Sequence, residues 1–210
     1  MAIARRYVAL LRGINLGGRN RVGMARLREV VAADVGATEV ETYIASGNVV
    51  FASALAQNAL RARLERAIEA EFGISITVVI LTAREMAEAV RANPFPDATP
   101  GSLHMAFANE LISTADAARL AELDIHPEEH VVRGRWIYLY VPNGFGVAQL
   151  PKELDRRVRQ PLTVRNFRTV TALNDMTRPA KSRSTPSRPA RTDETRRRRV
   201  EKSAAALKAR

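Results

Sequence analysis

YVALLRGINLGGRNRVGMARL, residues 7–27, is the stretch whose reading decides the fold. An apolar run ends at Arg12 and gives way to a loop holding Arg12, Gly13, Asn15, Gly17, Gly18, Arg19, Asn20 and Arg21. Met24, Leu27, Val31 and Val35 then recur at helical spacing until Gly36. The pattern predicts a strand, a glycine loop and an amphipathic helix that the loop opens into directly. The glycines allow positive φ or a close backbone approach to a ligand. Free N–H groups at a helix start, beside guanidinium groups, suit an anion.

Known phosphate loops fit this stretch poorly. Gly13 and Gly18 have the separation of G-x-x-x-x-G-K-[ST], but Arg19 and Asn20 replace the lysine and the hydroxyl that would hold magnesium. The dinucleotide pattern G-x-G-x-x-G fails because Ile14 and Asn15 follow Gly13. A tight strand-to-helix turn that simply needs glycine stands as the alternative.

Further strands are expected at residues 40–45 and 49–51, joined tightly by Ser46, Gly47 and Asn48. Leu60, Leu64, Ile68 and Phe72 form one stripe of a second helix, and residues 74–81, rich in β-branched side chains, form a fourth strand. The order β-α-β-β-α-β is the split ferredoxin-like pattern. Thr82 and Glu85 are spaced as a capping box for a short helix. Asn93-Pro94-Phe95-Pro96 enforces an extended turn and marks a boundary over residues 93–102.

The same order then returns. Strands are expected at residues 103–108, 131–132, 136–141 and 162–165, with helices at 113–123 and 151–158 and a short one capped by Asn166. The expected class is therefore α+β: two ferredoxin-like halves with antiparallel sheets, residues 1–92 and 93–178, and a disordered basic tail, residues 179–210. The tail has three prolines and no apolar period. It carries eleven Lys/Arg against three Asp/Glu, so most of the net charge of +11 lies there and the rest of the chain is near neutral.

The chain has no cysteine, which excludes disulfides, thiolate nucleophiles and sulfur-ligated metals and suits a reducing cytoplasm. No apolar run approaches the ~20 residues of a membrane span, and the five apolar residues before Arg12 are too few for an export signal. A soluble, cytoplasmic protein without membrane contact is expected.

YVALLRGINLGGRNRVGMARL, together with TYIASGNVVF, ANPFP, YLYVPNG and TVRNFRTV, resembles the bacterial family called domain of unknown function 1697, in order over residues 5–176. The resemblance implies a small cytoplasmic α/β protein of two ferredoxin-like halves and supplies no activity. Phe167 stands where members usually carry Trp, and Gly146-Val147-Ala148 replaces a more polar run.

In the split topology, the loop after the first strand and the hairpin between the second and third leave the same end of the sheet. Arg12, Gly13, Asn15, Gly17, Gly18 and Asn20 should therefore converge with Ser46, Gly47 and Asn48. Such a site is rich in N–H groups, amides and guanidinium, and suits an oxyanion or phosphorylated small ligand. It lacks a titratable group for acid–base work, so no catalytic residue is assigned. Ser46 and Asn48 also read as turn formers. Trp136, Tyr138 and Tyr140 share one strand face, by default for packing. His104, His126 and His130 do not form a metal set, and no cofactor is expected. The alternative function is non-specific nucleic-acid association through the tail, in which Arg196, Arg197, Arg198 and Arg199 would contact phosphates.

Overall fold

The computed structural model describes residues 4–178. The first unit runs β1 (Arg5–Leu11), α1 (Met24–Val35), β2 (Thr38–Tyr43), β3 (Asn48–Ser53), α2 (Gln57–Phe72), β4 (Val78–Thr82) and α3 (Ala83–Arg91). The second runs β5 (Leu103–Phe107), α4 (Thr114–Ala121), β6 (Glu129–Arg133), β7 (Trp136–Tyr140), α5 (Leu150–Arg157), β8 (Thr163–Asn166) and α6 (Phe167–Met176). Each unit is a split β-α-β-β-α-β followed by one extra helix. The sheets have the orders β2-β3-β1-β4 and β6-β7-β5-β8, antiparallel throughout.

The near-continuous apolar strands are explained by burial on both faces. Side chains alternate across a strand, and the two sets enter different cores. In the first sheet Ala9, Leu11, Val49, Phe51 and Ile80 pack under α1 and α2 with Leu27, Val31, Leu60, Leu64 and Ile68. The intervening Val8, Leu10, Val50, Val79 and Leu81 face the other way, toward the second unit. There they share a middle core with Met105, Phe107, Trp136 and Tyr138 of the second sheet. Met86 and Ala89 of α3 and Val170 and Leu173 of α6 complete that core. The Tyr138 hydroxyl donates to the Ala89 carbonyl at 2.7 Å, so its one polar atom is satisfied inside it. The outer face of the second sheet, with Ile137 and Leu139, packs under α4 and α5 on Leu120, Leu150 and Leu154. The layers thus read helices, sheet, α3 with α6, sheet, helices.

Local signals set the ends of most elements. Gly36 and Gly73 close α1 and α2 in left-handed geometry, at φ 63 and 66. Thr82 and Glu85 make the full capping box of α3, and Ser113 and Asn166 cap α4 and α6 with their side chains. Two expectations need correction. Helix α1 does not open directly from the glycine loop: Val22 is buried, Gly23 is the N-cap, and the turn starts at Met24. Strand β4 starts at Val78 rather than residue 74, because Ile74 and Ile76 pack against the first core without pairing. The basic tail, with Arg196, Arg197, Arg198 and Arg199, lies outside the described residues.

Candidate functional site

Three loops meet at one end of the first sheet. The N–H of Leu11 donates to Gly47 O at 2.8 Å, and the N–H of Arg12 to Thr77 O at 2.9 Å. The glycine loop is held by its asparagines. Asn15, at φ 54, donates from Nδ2 to Val22 O and Ala45 O and accepts from the Val22 N–H. Asn20 donates to Gly13 O at 2.9 Å, and the Asn15 N–H donates to Asn20 O. Left-handed geometry is tolerable for Asn because its short amide can bond locally. Gly17 and Gly18 form the exposed tip of the loop, both at positive φ.

The β2–β3 hairpin seats on this loop through Gly47. A Cβ there would stand 2.8 Å from Leu11 Cβ and 2.9 Å from Ile14 Cδ1, and its φ is +77. Only glycine fits both constraints. Asn48 is fully buried and donates to Tyr43 O and Ser46 Oγ.

Across from these loops stand β8, α5 and the β7–α5 loop of the second unit. Arg165 is the tie between the two sides. Its Nε donates to Asn48 Oδ1, its Nη2 to Leu11 O and Ser46 O, and its Nη1 to Thr163 Oγ1 and Val164 O. Every one of these acceptors is a neutral oxygen. Burial pushes the guanidinium down to about 10, which still leaves it a cation at neutral pH. Arg12 crosses the same boundary, donating to Leu162 O at 2.9 Å and pairing with Asp155 at 3.2 Å. That ion pair is substantially exposed and therefore weak.

Between the two sides lies a cleft of about 940 Å³. Its polar lining includes Arg12, Ser46, Glu65, Asp155, Thr163 and Arg165; Leu16, Ile44, Phe145 and Leu162 supply apolar wall. Ser46 Oγ accepts from Asn48, which leaves its O–H free to donate. The N–H groups of Gly13 and Ile14 bond to nothing among the described residues. Glu65 accepts from the Val78 N–H at 2.9 Å. Behind Phe145, His104 stacks on its ring at 4.3 Å, its Nδ1 is buried without a partner, and burial lowers its pKa.

The expected residues therefore divide by position. Arg12, Gly13, Asn20 and Ser46 line the cleft. Asn15, Gly47 and Asn48 hold its rim together, and Gly17 and Gly18 lie at the loop tip outside the lining. Sequence reasoning missed the wall from the second unit, above all Arg165. One signal was available: Arg165 sits in a strand opposite Met105, on the face that enters the middle core. An arginine at an inward strand position needs acceptors nearby.

A smaller cavity, about 220 Å³, lies where β4 meets the second unit. Arg135 there donates to Ile80 O and Ala108 O and holds the Glu85 carboxylate with Nε and Nη2. Burial pushes the Glu85 carboxyl up, but the Thr82 N–H, the Arg135 charge and the Thr82 hydroxyl outweigh it and hold it below the usual range. Among the described residues no group of three or more His, Asp or Glu is placed to hold a metal ion, and no helix is long and apolar enough to cross a membrane.

A family model described as "Protein of unknown function (DUF1697)" matches residues 4–138. Among solved structures, a conserved bacterial protein from Streptococcus pneumoniae is similar at 23% identity and a TM-score of 0.69, covering 84% of this chain and 100% of that one. At that identity the likeness shows the fold. Among curated proteins none matches the sequence.

Proposed function

The chain belongs to the DUF1697 family, and for the cleft between its two units we propose the binding of a small anionic or phosphorylated ligand. One observation carries the reading. Arg165 puts a positive charge into the cleft wall and spends its N–H groups on neutral oxygens, so among the described residues no carboxylate bonds to that charge. An anion seated near Ser46 would meet its O–H, the free N–H groups of Gly13 and Ile14, and the field of Arg165. Arg12 can join by exchanging its exposed partner Asp155 for the ligand, since such a pair contributes little. Glu65 and Asp155 also line the cleft, so the anion belongs on the Ser46 side.

The arrangement serves binding. Ser46 has the Asn48 amide as its partner, which cannot take a proton from it. Absence of cysteine suits a reducing compartment, and we place the protein in the cytoplasm. The charged tail supports a second reading, non-specific attachment to nucleic acid, because its eleven basic residues are concentrated in residues 179–210.

The test of the first reading is a metabolite thermal-shift screen on the full chain. A ligand at 100 times its dissociation constant adds about 2.7 kcal/mol of stability. Arg12→Ala and Ser46→Ala should each weaken the best hit about tenfold or more, and phosphate should compete with it. A screen in which no anion raises the melting temperature would remove the proposal. So would variants that bind as tightly as the parent.

A further inference from the structure

The cleft has a second character that a bare anion does not use. Ile44 is 55% exposed and Leu16 is 64% exposed, and both line it. Ile44 also adopts φ 48, which a β-branched side chain strongly disfavours. That conformation is imposed by a turn fastened at four carbonyls that flank Ile44. Tyr43 O accepts from Asn48, Ala45 O from Asn15, Ser46 O from Arg165, and Gly47 O from the Leu11 N–H. The turn thus holds an apolar side chain in the open at the cost of backbone strain, two residues from the Ser46 hydroxyl. On the other loop, Leu16 lies three residues from Gly13. On the opposite wall, Phe145 is half-buried, with His104 stacked behind it. On the first unit's wall, Ser46 and Gly13 are thus each accompanied, on the same loop, by an exposed apolar side chain that lines the cleft.

Resting on the anion reading above, we infer that the cleft takes an anion carrying an aromatic body: a phosphate monoester or carboxylate whose flat ring lies against Ile44, Leu16 and Phe145. Size agrees with this. A cleft of about 940 Å³ is at the upper end of the range for drug-sized ligands and far larger than inorganic phosphate needs. A ring loses little conformational freedom on binding and offers Phe145 an offset-stacking partner. Ser46 and the Gly13 N–H then fix orientation, while the apolar wall selects among anions.

The experiment is calorimetric titration of the full chain with phenyl phosphate, methyl phosphate and benzyl alcohol. Phenyl phosphate should bind at least tenfold tighter than methyl phosphate. Ile44→Ser should bring that ratio close to one, and Phe145→Ala should lower it independently, so one poorly folded variant does not leave the question open. A ratio below about threefold in the parent protein, with methyl phosphate still bound, overturns the aromatic inference and leaves the anion reading standing. A ratio unchanged in both variants overturns it too, because the ring would then lie elsewhere. Binding of benzyl alcohol with no binding of either phosphate overturns the anion reading and this inference together.

Discussion

Replacing Gly47 by alanine tests how the hairpin is seated against the first strand. Two costs follow from the structure. An L-residue at φ +77 pays roughly 1–2 kcal/mol for the left-handed region. The new methyl would also stand 2.8 Å from Leu11 Cβ and 2.9 Å from Ile14 Cδ1. Leu11 is in a central strand and its Cβ cannot move alone, so overpacking adds about 1–3 kcal/mol. Alanine restricts the unfolded chain more than glycine does, which returns about 0.4–1 kcal/mol. The expected net loss is therefore about 2–4 kcal/mol. Gly18→Ala is the matched control: its φ is +82, but nothing lies within 4 Å of its Cβ position. Only the left-handed term applies there, so a loss of about 1 kcal/mol or less is expected. Urea unfolding of both variants, followed by circular dichroism, reads the difference as separate midpoints at a common slope. If Gly47→Ala lost no more than Gly18→Ala, the hairpin would not be seated on Leu11 and Ile14, and the near wall of the cleft would be misplaced.

Three further outcomes are expected. Leu64→Ala removes a fully buried side chain from beneath α2 and should cost about 2–5 kcal/mol by chemical denaturation; a loss below about 0.5 kcal/mol would show the wrong helix face. The Glu85 carboxyl is held below its usual range when folded, so the unfolded chain takes up protons there first. Its contribution is present above the ordinary carboxylate pKa and is lost as pH falls through the lower folded value. Glu85→Gln should make the stability–pH profile shallower in that acid window, whereas an unchanged profile would mean that the Thr82 hydrogen bonds and the Arg135 charge together do not bias the carboxyl. For the tail, about six cations on duplex phosphates predict a slope of log K against log salt near −5. Replacing Arg196, Arg197, Arg198 and Arg199 by alanine should reduce it by about 3–4; equal slopes would sink that reading, and preference for one of two unrelated duplexes would sink its sequence-blindness.

The element order was legible because it rests on local periodicity and end signals. Leu60, Leu64 and Ile68 mark one face of a helix, Gly73 ends it, and Thr82 with Glu85 starts the next. The start of β4 was misread because Ile74 and Ile76 look like strand residues; their apolar character serves packing, and pairing begins only at Val78. Convergence of the glycine loop and the hairpin followed from topology, and the Asn15–Ala45 hydrogen bond is its direct expression. What no window of sequence shows is contact between the units. Arg165 meets Asn48 across 117 positions and Leu11 across 154, and TVRN alone reads as a strand end and a cap. Likewise Asn48 reads first as a turn former and only second as a ligand contact, while the glycine loop that holds Asn15 reads as either a binding loop or a plain turn. The choice depends on which carbonyls lie within reach, and that is a property of the assembled fold.

The two arginine ties between the units bear on what the cleft is for. Arg135 and Arg165 do the same mechanical work, each reaching across the boundary to main-chain carbonyls of the first unit. Arg135 is neutralised on the spot by Glu85 at 2.7 Å. Arg165 has no such partner among the described residues, although burial disfavours its charge. Burying a cation costs several kcal/mol unless it is paired, and a well-packed apolar residue would hold two surfaces together at less expense. A tie needed only for cohesion would therefore resemble Arg135, with a carboxylate beside it, or be apolar. An unneutralised guanidinium becomes favourable when a counter-charge arrives from outside. Arg165 lines the larger cleft, beside Ser46 and Thr163, whereas Arg135 lines the smaller cavity with its carboxylate already in place. The difference between these two residues is the physical ground for expecting an anion in one cavity and not in the other.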